Sequence, residues 1–399
     1  MGTSTRRARR QRFVFAFVAA TLAVVGGVVA AEEARIVGNA LERPGIDAFY
    51  AQPDDATDGE HGSLVKSDAL LGTPFAARAW RIMYRTTDVH GDPAVATGVL
   101  VAPLTPAPPR GRTVVSWGHP TTGAARDCAP SYGFDPFIGI EGLRFLLDRG
   151  YAVVATDYVG MGTDGTDSYL VGVTGGNAVL DAVRAARAIP EARASERVVL
   201  WGHSQGGQAV LFAAQQAASY TPELDLRAVA AAAPAADLPG LMRAHLDDIS
   251  GVTIGSYAFM AYGDVYPEAS VDKILTPAAR AIVPRMNELC LLTSIPELHR
   301  IGQPLVGDFT LSDPTTTEPW ASLLEENSAG ATAFDAPLFL AQGLEDELVV
   351  PSDTTGFAQH EAGLGMDVTY HEIPFADHGT VAYLALPAML RWLDGVSAG

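Results

Sequence analysis

Residues 201–208 read Trp-Gly-His-Ser-Gln-Gly-Gly-Gln. A short apolar run, Val198 to Trp201, leads into this stretch, and an alanine-rich run with helical character, Gln208 to Ala218, leads out of it. Glycines two residues either side of a serine, between a strand and a helix, give the G-x-S-x-G pattern of a sharp elbow that presents a nucleophile. The chain has to reverse within a few residues there, and side chains at Gly202 and Gly206 would collide with neighbouring elements. Such a turn lifts the Ser204 hydroxyl above the sheet and aims the N-terminus of the next helix at any negative charge forming beside it. The Gln205 N–H then becomes one oxyanion donor. A plain Gly/Ser turn is the competing explanation in a chain with 40 glycines, and the strand-before, helix-after context argues against it.

A serine hydroxyl is a weak nucleophile until a base takes its proton and an acid orients the base. In a serine, acid, histidine chain order both partners lie C-terminal of Ser204. The strand pattern Pro337 to Ala341 runs into Gln342-Gly-Leu-Glu-Asp-Glu-Leu-Val-Val-Pro351, and Asp346 is the expected acid, with Glu345 and Glu347 as rivals. The strand pattern Asp367 to Ile373 runs into Pro374-Phe-Ala-Asp-His-Gly379, which makes His378 the expected base. His371 falls inside that strand and reads as an ordinary sheet residue. His203 cannot turn back on its neighbour and reads as packing support. The second oxyanion donor belongs in the loop Gly118-His-Pro-Thr-Thr-Gly123. Pro120 has no N–H, so Thr121 or Thr122 is the expected donor, with Gly123 as an alternative.

Working outward, strand and helix patterns alternate along most of the chain. Arg81–Asp88 and Ala96–Ala102 read as a hairpin, Thr113–Trp117 and Tyr151–Asp157 as buried strands, and Leu226–Ala233 as a further strand. Helical spacing covers 137–149, 175–189, 355–362 and 381–393. The alternation predicts a mostly parallel sheet flanked by helices, with the hairpin as an antiparallel edge. It breaks down between about 237 and 327, a stretch of prolines, aromatics and short helical patches, which reads as a mainly helical cap inserted over the sheet. The expected organisation is therefore a signal peptide or anchor over 1–31, an irregular lead-in over 32–75, core over 76–236, cap over 237–327 and core again over 328–399.

The chain has 399 residues, 48% of them apolar, and a formal charge of −19. Such an acidic balance argues against nucleic acid as a partner. Five arginines between Arg6 and Arg12 precede an uncharged apolar run from Phe13 to Ala31, with small residues at Val28-Val-Ala-Ala31, as in an export signal. Cleavage there would remove five positive charges and no acid, taking the formal charge from −19 to −24 (−19 − 5). The run is long for a signal, so an uncleaved envelope anchor is the alternative. The two cysteines, Cys128 and Cys290, most simply form one disulfide in an oxidising compartment, against the alternative of two buried thiols. No zinc-ligand spacing is present, and no metal or organic cofactor is expected.

The segments Gly118-His-Pro-Thr-Thr-Gly123, Cys128-Ala-Pro-Ser-Tyr132, Gly150-Tyr-Ala-Val-Val-Ala-Thr-Asp-Tyr158, Gly202-His-Ser-Gln-Gly-Gly207 and Ala336-Pro-Leu-Phe-Leu-Ala-Gln-Gly343, with Asp346 and Pro351, together resemble the secretory lipases of fungi and actinobacteria. These are the lipase A type of the α/β-hydrolase superfamily. The resemblance runs from about residue 80 to 393. It implies an α/β-hydrolase fold with a helical cap, Ser204, Asp346 and His378 as nucleophile, acid and base, and a Cys128–Cys290 bridge to the cap. Some members carry an acidic residue in the oxyanion loop where this chain has Thr121 and Thr122.

Together these features predict an exported serine hydrolase of lipid or other carboxylic esters, with lipid-surface contact falling on the cap. The residues Ala258-Phe-Met-Ala-Tyr262, Tyr266 and Ile274-Leu275 either line an acyl tunnel or form the cap's own core. A short-chain carboxylesterase, a secreted peptidase of the same fold and a non-catalytic binding protein are the alternatives.

Overall fold

The computed structural model describes residues 44–396 apart from 75 and 134, together with residues 37 and 41. The export signal or anchor expected over 1–31 lies outside the described residues. Among those described, no helix is long and apolar enough to cross a membrane.

Nine strands form one sheet in the order β1-β2-β3-β5-β4-β6-β7-β8-β9. β4 (Arg112–Gly118), β5 (Ala152–Val159), β6 (Ala194–His203), β7 (Asp225–Ala232), β8 (Leu338–Gly343) and β9 (Val368–Ile373) run parallel. β2 (Ala77–Thr87) and β3 (Pro93–Pro103) make a long hairpin, and β3 joins β5 antiparallel. The central strands are sandwiched between helices, so they are buried on both faces rather than alternating: all eight residues of β5 are buried.

α3 (Gly172–Arg187), α4 (Gln205–Tyr220) and α11 (Pro351–Gly363) cover one face of the sheet, where Val179, Val183, Val210, Leu211 and Phe357 meet the strands. α2 (Leu143–Asp148) and α12 (Val381–Val396) cover the other through Leu146, Leu386, Met389 and Leu390. Burying each such side chain contributes roughly 1.5–3 kcal/mol.

Between β7 and β8 the chain folds into helices from α5 (Leu238–His245) and α6 (Ile249–Val265) through α7 (Val271–Ile274), α8 (Pro277–Asn287) and α9 (Leu291–Gly302) to α10 (Trp320–Glu326). This block has a core of its own, built on Val252, Tyr257, Phe259, Leu298 and Trp320. The residues with two expected fates divide between them. Phe259, Tyr266, Ile274 and Leu275 pack in that core, while Ala258 and Tyr262 belong to it and also border the cavity described below.

Two expectations are corrected. The stretch 32–75 is not simply irregular: residues 44–50 are helical (α1), and β1 (Leu64–Ala69) pairs antiparallel with β2. β1 is an edge strand whose last three residues are exposed, so it lacks the alternation that marks a half-buried strand. The helix expected over 137–149 begins only at Leu143, after Gly142 in a left-handed conformation. Two indole N–H groups draw the backbone carbonyls just before it out of helical pairing: Trp117 donates to Gly139 O at 3.1 Å and Trp201 to Glu141 O at 3.0 Å.

Candidate active site

The carboxyl ends of β6, β8 and β9 bring Ser204, Asp346 and His378 together. Ser204 sits between β6 and α4 with φ 56° and ψ −118°, a conformation that costs a non-glycine residue roughly 1–3 kcal/mol. Its neighbours hold it there. Ser204 N–H donates to Ala232 O at 3.0 Å, and Ser204 O accepts from Gln208 and Ala235 at 3.1 Å each. The glycines answer close approaches: an added Cβ would lie 2.2 Å from Gly206 O at position 202, and 1.9 Å from Gly118 O at position 206.

Asp346 follows β8 and is buried. Its Oδ1 accepts the backbone N–H groups of Leu348 and Val349, both at 2.9 Å, and its Oδ2 lies 2.8 Å from His378 Nδ1. A carboxylate can only accept, so Nδ1 carries the proton, and the facing Nε2, 2.9 Å from Ser204 Oγ, is left as the acceptor of the hydroxyl proton. His378 sits in the turn before α12, closed by reciprocal bonds between Asp377 and Thr380: Asp377 N–H to Thr380 Oγ1 at 3.1 Å and Thr380 N–H to Asp377 Oδ1 at 2.9 Å. The rivals stand apart, since Glu345 and Glu347 are exposed at the tip of the acid loop. His371 lies within β9. His203 packs its ring 5.0 Å from that of His378 and donates from Nδ1 to Glu141 Oε1 at 3.1 Å.

Gln205 is the first residue of α4, so its N–H has no carbonyl within the helix to donate to. Thr121 and Thr122 are buried and border the same cavity as Ser204 and Gln205. Thr121 Oγ1 and Tyr169 OH share one hydrogen bond at 2.7 Å, which leaves the second of their two hydroxyl protons for another acceptor. Thr122 turns its hydroxyl to Met161 Sδ at 3.7 Å. Gly123 is packed against the bridge between Cys128 and Cys290, which fastens this loop to the residue preceding α9. Leu291 N–H donates to Thr122 O at 2.8 Å beside it. His119, in the same loop, is fully buried, and burial pushes its imidazole down to about 4.

A cavity of about 720 Å³ opens over Ser204. Leu238, Leu241 and Met242 of α5, Ile254, Ala258 and Tyr262 of α6, and Leu324 of α10 give it a largely apolar wall. The site residues that sequence reasoning missed are Tyr169, Tyr383 and Glu141 on this wall. Glu141 was hidden within a helical pattern, and no local signal marks a residue whose place is set by tryptophans 24 and 60 positions away.

Residues 139–399 match the family model for secretory lipases. The chain is similar to a probable inactive lipase of Mycobacterium tuberculosis, 25% identical over 89% of this chain and 83% of that one. It is similar to Lipase 6 of Candida albicans, 25% identical over 90% of this chain and 82% of that one. Among solved structures it resembles lipase A of Candida antarctica in its closed state, with a TM-score of 0.73 and 19% identity over 87% of this chain and 85% of the other. The fold is that of an α/β-hydrolase.

Proposed function

The chain belongs to the secretory lipase family, and from that premise we propose that it is an exported serine hydrolase that cleaves carboxylic esters, lipid esters foremost. The observation that carries this is the continuous hydrogen-bond chain from Asp346 Oδ2 through the His378 ring to Ser204 Oγ. A relative described as a probable inactive lipase makes that chain matter, because it supports activity in this protein independently of family membership.

His378 Nε2 takes the Ser204 proton as Oγ attacks the ester carbonyl carbon. The carbonyl π electrons move to oxygen, and the Gln205 N–H and the Thr121/Thr122 segment hold the resulting oxyanion, each donor contributing about 3 kcal/mol. Asp346 orients the imidazole and stabilises the imidazolium. As the carbonyl re-forms, the carbon–oxygen bond to the alcohol breaks and His378 Nε2–H protonates the leaving oxygen. Water then repeats the sequence on the acyl-enzyme, releasing the carboxylic acid and restoring Ser204.

The apolar cavity wall from α5, α6 and α10 supports a fatty-acyl group over an acetyl group. The arginine-rich, apolar N-terminus supports export. Hydrolysis of an ester series from acetyl to palmitoyl, below and above the concentration at which the substrate aggregates, tests this. The expected result is an optimum at long chains with a rate increase at the interface. A short or medium optimum without that increase replaces the lipase with a carboxylesterase.

A further inference from the structure

His245 closes α5 and is buried, with both ring nitrogens engaged. Nε2 lies 2.8 Å from Leu348 O, and Nδ1 lies 2.6 Å from Asp248 Oδ2. A carbonyl oxygen only accepts, so Nε2 carries a proton. Partial burial opposes ionisation of Asp248, but the Gly251 N–H, which donates to its Oδ1 at 2.9 Å, and the His245 ring hold its carboxyl below the usual range. A carboxylate also only accepts, so Nδ1 carries a proton too. His245 is therefore an imidazolium between two acceptors. The root of its side chain is packed tightly: a Cβ on Gly251 would lie 3.0 Å from the His245 Cβ and 1.8 Å from the His245 carbonyl oxygen. The acids around the ring are Asp248, which caps α6, and Asp353 of α11, with Asp346 across the Leu348–Val349 peptide group. Arg243, two residues back in α5, is the cation nearby and acts on Asp353. Asp247 and Glu347, next in the chain to its two partners, are exposed.

What His245 grips decides its role. The Leu348 carbonyl and the Val349 N–H belong to one peptide group. His245 Nε2–H holds that group by its oxygen, and the N–H on the other side donates to Asp346 Oδ1 at 2.9 Å. A hydrogen bond to a peptide carbonyl strengthens the N–H of the same group as a donor. The other oxygen of that carboxylate faces His378 Nδ1. On its far side His245 bonds to Asp248, at the start of the helix that supplies Ile254, Ala258 and Tyr262 to the cavity wall. One imidazolium thus ties the wall of the cavity to the acid that orients the base.

We propose that His245 is a positioning residue for the triad: as an imidazolium it fixes the Leu348–Val349 peptide group, and through it Asp346, from the helical block. It rests on the ester-hydrolase function proposed above. When the ring loses one proton, the other stays with Asp248, because a bond to a carboxylate is stronger than one to a carbonyl. The Nε2 lone pair then faces the Leu348 carbonyl oxygen, the two repel, and the grip on the peptide group is released. His378 has to be neutral to take the Ser204 proton, and His245 has to be charged to hold Asp346. With increasing pH, kcat therefore rises through the titration of the first and falls through that of the second.

The test is the pH profile of kcat for a soluble nitrophenyl ester, with the His245 ring followed by 15N NMR in histidine-labelled protein. The wild type is expected to give a bell whose alkaline midpoint coincides with the titration of that ring. In H245Q the alkaline limb should vanish, with kcat at the former optimum lower by about tenfold and KM little changed. In D248N, which keeps the ring but removes the charge that favours its second proton, the limb and the ring midpoint should move together to lower pH. A histidine that merely supported the fold would lower kcat alike at every pH. An H245Q profile with the wild-type shape, or a limb that D248N does not move, overturns the proposal and leaves the hydrolase intact. Should H245Q fail to fold, D248N decides alone. Failure of the wild type to turn over the ester, with no labelling of Ser204 by a fluorophosphonate, overturns the hydrolase and the positioning role together.

Discussion

His119 shows how one residue ties stability to the site. It stands in the oxyanion loop with its ring against Tyr158, whose hydroxyl donates to the His119 carbonyl at 3.0 Å. Burial lowers its pKa from 6.5 to about 4 in the folded protein, so below pH 6.5 the unfolded chain binds a proton that the folded one refuses. Its contribution is therefore whole above pH 6.5 and is lost as pH falls towards 4, by about 3 kcal/mol at most. Urea unfolding of the wild type and His119→Phe between pH 7 and 4 should show the wild type losing stability more steeply. Parallel curves would contradict this. The residue scale is also where the sequence was most legible. Ser204 stood out because its turn demands glycine at 202 and 206, and Asp346 and His378 because they follow strand patterns by a few residues. Glu141 was illegible because its position depends on two distant indoles rather than on its neighbours in the chain.

At the scale of elements, the bridge between Cys128 and Cys290 spans 162 residues and joins the oxyanion loop to α9. At another point of the block, His245 at the end of α5 bonds through Nε2 to Leu348 O at 2.8 Å, next to the Leu348 N–H that Asp346 accepts. The helical block is thus fastened to both the oxyanion loop and the acid loop. Closing so long a loop lowers the entropy of the unfolded chain by an amount worth about 5 kcal/mol. The double variant C128S/C290S is expected to lose stability of that order in urea unfolding and to lower kcat by loosening Thr121. An unchanged midpoint would show that the bridge does not fasten the block. Elements were legible in proportion to their burial. β4 to β8 were recognisable from apolar runs, whereas β1, with its exposed Ser-Asp-Ala stretch at the sheet edge, gave no periodic signal.

At the scale of the molecule, the rim of the cavity carries large apolar side chains in the open. Ile138 is 76% exposed on the core side and Leu292 66% exposed at the start of α9. With a formal charge of −19, the protein gains nothing from an anionic surface, so the lipase reading proposed above assigns any contact with a lipid interface to such side chains. Replacing both by aspartate should lower the ratio of activity on a triacylglycerol emulsion to activity on a soluble ester about tenfold. A ratio that does not move would place lipid contact elsewhere. The parallel sheet with an inserted helical block was legible from the alternation of strands and helices. The division of block residues between core and cavity was not, because Ala258, Phe259 and Tyr262 share one helix and only its packing decides which of them meets the cavity.

The central claim is that Ser204 is a nucleophile activated by His378 and Asp346. The most direct measurement is labelling by a fluorophosphonate, with the modified residue located by peptide mass spectrometry. Labelling at Ser204 in the wild type, abolished in Ser204→Ala and slowed by several orders of magnitude in His378→Ala, is the predicted result. A folded wild type that takes no label, or takes it at another residue, would contradict the claim.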